Sequence, residues 1–125
     1  DPARIIDVAR QLDDPQYKIL LAERAEETLS LTPTSRGLRN HLLGGIYELK
    51  GRIGDAINCY EQAVDENPEN LVWRLQIAKL LLTQGRLEKA ADHAAECLRQ
   101  APDDRRYRDL VRRIRKAIQS KNAKS

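Results

Sequence analysis

Two histidines, two cysteines, one glycine-rich turn and one basic run are the residues of this 125-residue chain whose types suit chemistry. His41 and His93 each stand alone, with no acidic or cysteine partner at the spacing of a metal-ligand set or a catalytic triad. Both read as surface or groove side chains. Cys59 and Cys97 form no CxxC pair and fall within helical patterns, so they read as buried, reduced thiols that behave as small hydrophobes. Gly51-Arg52-Ile53-Gly54 lacks the spacing that cradles a phosphate and reads as a turn between helices. The basic run from Arg105 to Lys116 could meet nucleic-acid phosphates or an anionic membrane surface, but Tyr107 is its one aromatic residue. A solvated charged face is the plainer reading. The expectation is a non-catalytic protein with no catalytic residue, no metal and no cofactor.

The elements that hold these residues follow from length and pattern. A chain of this length reads as a single domain with a shared core. Hydrophobic content of 41% and charged content of 33% suit a soluble, helix-rich protein and argue against global disorder. No apolar run approaches the length of a membrane-spanning helix. The start, Asp1-Pro2-Ala3-Arg4, has no basic-then-apolar leader, and the chain contains no Met, so it reads as a processed product or a segment of something longer. No signal fixes the compartment; a soluble, cytoplasmic setting is favoured. Charge is graded along the chain. Residues 1–34 carry seven acidic and four basic side chains, while residues 103–125 carry nine basic and three acidic.

Apolar spacing predicts seven helices and no strand. The first, residues 2 to about 13, is capped by Asp1 and carries Ile5, Ile6, Val8, Ala9 and Leu12 as its stripe. Asp13-Asp14-Pro15 stops it. The second, about 16 to 30, should turn Tyr17, Leu20, Leu21, Ala25, Thr28 and Leu29 inward. The third, about 35 to 50, contains Gly44 and Gly45, which mark close approach of another helix; Gly51 is placed to end it in a left-handed conformation. The fourth covers about 53 to 66. The fifth, about 70 to 84, is apolar nearly all round and should be covered on several sides. The alanine-rich sixth covers about 87 to 100. The seventh, about 103 to 120, sets one narrow stripe of Tyr107, Leu110, Val111, Ile114 and Ile118 against arginines, with residues 121–125 frayed.

The helices repeat. Gly51, Arg52, Ala56 and Pro68 return thirty-four residues on as Gly85, Arg86, Ala90 and Pro102. Leu43-Gly44-x2-Tyr47, Ala56-x3-Tyr60 and Pro68 resemble the tetratricopeptide repeat, with Asn40 at that family's tryptophan place. Ile77-Ala78-x2-Leu81, Ala90-x3-Ala94 and Pro102 form a looser copy with Arg74 at the tryptophan place. Lys18-Ile19-x2-Ala22 is half of a third. The resemblance implies an all-α fold of stacked antiparallel helix hairpins, an α-solenoid with a superhelical course. Its parts are a degenerate first repeat at 1–36, repeats at 37–70 and 71–104, a C-terminal capping helix at 105–120 and a tail at 121–125.

The resemblance further implies an interaction scaffold or adaptor that takes a peptide or partner helix in a concave groove lined by the first helix of each hairpin. The groove places adopted as the partner-binding set are Leu38, His41, Leu49, Val72, Leu75, Lys79, Leu82, Arg106 and Arg113. The apolar members would give contact area and the basic ones would orient an acidic segment of a protein partner. The carboxylate clamp of some family members would fall on His41, Gly45, Gln76, Arg106 and Leu110, where only Arg106 suits it. The alternatives are a self-assembly module, a regulatory or targeting domain of a larger enzyme and, less favoured, a nucleic-acid binder working through the basic last helix.

Overall fold

A computed structural model describes residues 1–124. These form seven helices, α1 (Pro2–Arg10), α2 (Pro15–Ser30), α3 (Arg36–Leu49), α4 (Ile53–Glu66), α5 (Leu71–Thr83), α6 (Leu87–Gln100) and α7 (Arg105–Ala123), with no strand among the described residues. The all-α expectation holds. The backbone groups into two compact units, the first ending at Asn67 and the second beginning at Pro68.

Two devices start the helices. Five open on a side chain that accepts from a free backbone N–H: Asp1 from Ala3, Asp14 from Gln16, Ser35 from Leu38, Asn70 from Trp73 and Asp104 from Arg106. α4 and α6 have no such cap, because each follows its predecessor through a three-residue turn. In those turns Gly51 (φ +78°) and Gly85 (φ +73°) take the left-handed conformation. The next amide reaches back to close the preceding helix, Arg52 N–H to Tyr47 carbonyl at 2.9 Å and Arg86 N–H to Leu81 carbonyl at 2.9 Å. This is the six-residue ring that a C-terminal glycine permits and a Cβ would strain. The thirty-four-residue repeat is thus a repeat of hydrogen bonds.

In the first unit α1 pairs with α2 and α3 with α4, while α3 also receives α1 and α2. Gly44 and Gly45 serve different neighbours. A Cβ on Gly44 would lie 2.5 Å from Cε1 of Tyr60 on α4, and one on Gly45 would lie 3.1 Å from Ile6 and Arg10 on α1. Ile6, Ala22, Ala25, Leu29, Leu42 and Ile46 form the core over α1–α3, and Ala56, Ile57, Tyr60, Ala63 and Val64 bury the inner face of α4. In the second unit α6 sits between α5 and α7, and α7 also touches α5. Its buried residues include Leu75, Ile77, Ala78 and Leu81 of α5, Ala90, Ala94 and Cys97 of α6, and Tyr107, Leu110 and Ile114 of α7.

Several expectations need correction. α1 ends at Arg10, earlier than its apolar pattern suggests, and α2 begins at Pro15. Pro15 therefore opens a helix under an Asp14 cap, since its missing N–H costs nothing in the first turn. Val8, Tyr17 and Leu20, expected on inner faces, are 51%, 53% and 61% exposed. α2 buries Ala22, Ala25 and Leu29 instead. α7 runs to Ala123, so Lys121, Asn122 and Ala123, expected to fray, are helical, while Ser125 of the expected tail lies outside the described residues. Cys97 is buried as expected, but Cys59 is only half-buried.

Candidate partner-binding faces

The proposed set divides between the units. In the first unit Leu38 lies near the start of α3 and is 38% exposed. His41, one turn on, is half-buried, and Leu49 packs against the edge of the α1–α3 core. In the second unit Val72 is 61% exposed, Lys79 is exposed and Leu82 half-buried; all three fall on one side of α5 at helical spacing. Leu75 does not join them. It is 7% exposed, part of the core, and offers a partner almost no surface. Arg106 and Arg113 are exposed on α7. Arg106 is held by its own helix start: its guanidinium donates to the Asp104 carboxylate at 2.9 Å and lies 5.3 Å from the Tyr107 ring centre. Arg113 makes no ion pair among the described residues.

His41 belongs to a polar cluster that spacing alone does not reveal. Tyr60 Oη donates to Glu48 Oε1 at 2.5 Å and accepts from Arg10 at 3.2 Å, while Arg10 also pairs with Glu48 and with Asp7. The His41 ring lies 5.5 Å from the Tyr60 ring. Burial, and then the nearby Arg10 charge, lower the His41 pKa to about 4 despite an opposing pull from Asp7. Burial and the Glu48 carboxylate hold the Tyr60 phenol above its ordinary range. The residues concerned are separated by up to fifty positions, so no local motif announces them. Their chemistry is structural. An imidazole and a phenol, both held towards their neutral forms, join α1, α3 and α4 around one arginine.

At the second unit's tryptophan place, Arg74 takes over the joining role with hydrogen bonds. Its guanidinium lies 3.2 Å from His93 Nδ1 on α6 and donates to the Pro68 carbonyl at 3.1 Å. The Cys97 thiol donates to the Leu71 carbonyl at 3.8 Å, and burial raises its pKa to about 11. Such a thiol is a packed group rather than a nucleophile.

Among the described residues no group of three or more His, Cys, Asp or Glu side chains is placed to hold a metal ion, and no helix is long and apolar enough to cross a membrane. No curated protein matches the chain. The family model described as the tetratricopeptide repeat matches residues 49–114, from the end of α3 into α7. That match covers more than half of the chain and contains both glycine-closed turns, Arg74, and the Ala56 and Ala90 contact positions. The chain belongs to the tetratricopeptide repeat family, whose repeats generally mediate protein–protein interaction.

Proposed function

We propose that this chain is a non-catalytic interaction module that holds a peptide or helix of a protein partner against the outer side of α5 and the adjoining side of α7. The observation that carries the reading is Val72. It is a β-branched apolar residue 61% exposed on a helix whose other large side chains are mostly withdrawn from water. Lys79 follows two turns later on the same side, with half-buried Leu82 beyond it and exposed Arg113 on α7. An apolar contact flanked by cations suits a partner segment with apolar anchors and acidic residues beside them. Leu38 is the corresponding exposed apolar residue of the first unit.

The test avoids Leu75, whose replacement would charge the core. Wild type and a Val72→Glu, Lys79→Glu double variant, both checked for unchanged helicity, serve as bait for proteins of the source cell. A protein retained by wild type and lost from the variant supports the reading and identifies the partner. Identical retention by both overturns it.

A further inference from the structure

An apolar concavity lies apart from the outer side of α5. It is a groove of about 500 Å³ between α6 and α7, floored by Ala94, Ala95, Leu98, Val111, Ile114 and Ile118 and edged by Arg99 and Arg115. Arg99 is already tied to Glu96, but Arg115 has no ion pair among the described residues. Arg108 and Lys116 add to the basic charge along the same helix. An apolar floor with a basic edge is the complement of a partly apolar helix face that carries an excess of acidic charge.

The chain carries such a helix. The outer side of α2 presents Tyr17 and Leu20, 53% and 61% exposed, and beyond its end Leu31 is 85% exposed. Glu23, Arg24 and Glu27 are exposed along the same side, two acidic side chains to one basic. The apolar residues recur at spacings that keep them together on the helix surface opposite the buried Ala22, Ala25 and Leu29. The charge gradient has the matching sense, acidic in residues 1–34 and basic from residue 103 on.

We infer that copies of this chain associate head to tail, the outer face of α2 of one copy lying in the α6–α7 groove of the next. The two surfaces differ, so the contact is heterologous, and each added copy leaves one groove and one α2 face free. The contact is independent of the α5 face assigned to an outside partner.

Sedimentation of the whole chain in low salt tests this. For a contact of one helix face in one groove, the weight-average mass is expected to climb past that of a dimer between about 10 µM and 1 mM. A Tyr17→Ser, Leu20→Ser variant loses the α2 face, and Ala95→Glu blocks the groove at an exposed helix position. Each alone should associate at least about tenfold more weakly than wild type, since each removes the apolar contact on one side. Mixed in equal amounts, they should recover a single contact and stop at a heterodimer. A wild-type mass that stays monomeric to about 1 mM overturns the inference. So does undiminished assembly of either variant alone, or a mixture that fails to pair. Because every substituted residue is exposed, matched circular dichroism separates lost association from lost folding.

Discussion

Gly44→Ala is expected to destabilise the first unit although alanine is the better helix former. In an exposed helix interior the exchange would gain roughly 0.5–1 kcal/mol. Here the new Cβ would sit 2.5 and 2.6 Å from Cε1 and Cδ1 of Tyr60, well inside an ordinary carbon–carbon contact. The ring has little room to withdraw, because Tyr60 is 1% exposed and its hydroxyl is held by Glu48 at 2.5 Å and Arg10 at 3.2 Å. Overpacking of this kind costs about 1–3 kcal/mol, and with the ring pinned the upper part of that range applies, for a net loss of up to about 2.5 kcal/mol. Gly54→Ala is the control: nothing lies within 4 Å of a Cβ there, so it should be neutral or stabilising by up to about 0.5 kcal/mol.

Urea unfolding followed by circular dichroism reads all of these variants. Tyr60→Phe supplies the decisive comparison. It should destabilise by itself, because Arg10 and Glu48 lose a buried partner. It should also free the ring to tilt, so that Gly44→Ala costs at least about 0.5 kcal/mol less in the Tyr60→Phe background than in wild type. Additive losses would refute the pinned ring. A Gly44→Ala variant as stable as wild type would refute the close approach itself.

Two further expectations concern packing and pH. Ala56→Leu and Ala90→Leu, both fully buried where the two helices of a hairpin meet, should each cost about 1–3 kcal/mol in the same unfolding assay; unchanged transitions for both would be incompatible with the nesting described. His41 should make stability acid-sensitive. The folded state keeps it neutral down to about pH 4, whereas the unfolded chain protonates it near 6.5. The unfolded state therefore binds more protons between those values, and stability is lost as pH falls from about 6.5 to 4, with no contribution from His41 above that window. Allowing for its partial exposure, the loss is on the order of 1–2 kcal/mol, and a His41→Gln variant should show a correspondingly flatter profile across the same window. Equal slopes for the two proteins would exclude His41 as the source.

The elements were legible in the sequence wherever a local steric rule acts. Gly51 and Gly85 announce left-handed helix ends, Asp1 announces a cap, and the Tyr107–Leu110–Ile114 stripe announces the inner side of α7. The faces were harder to read. α5 is apolar nearly all round, so no periodic contrast distinguishes buried Leu75 from exposed Val72. On α2, Leu and Tyr residues fall on two sides, and hydrophobicity alone puts Tyr17 and Leu20 inside. The Arg10–Tyr60–Glu48 cluster joins residues remote in sequence, and only the fold brings them together.

Size as well as hydrophobicity decides which side of α2, α4 and α6 is buried. Where helices approach most closely, the fully buried positions are Ala22, Ala25, Ala56, Ala63, Ala90 and Ala94, with Gly44 against Tyr60. A hairpin packed through alanines excludes a second large side chain at the same level, because the interior is already filled. Large apolar residues beyond what those seams can hold are turned out to water, and Tyr17, Leu20, Leu31 and Val72 are of that kind. Tyr17, Leu20 and Val72 lie on the backs of helices whose inner faces are already satisfied, and Leu31 lies just past the end of α2, so burying them takes a second surface. Exposed apolar residues of this origin mark where such a surface would land. The close packing that closes each hairpin is thus also what leaves these faces available for binding.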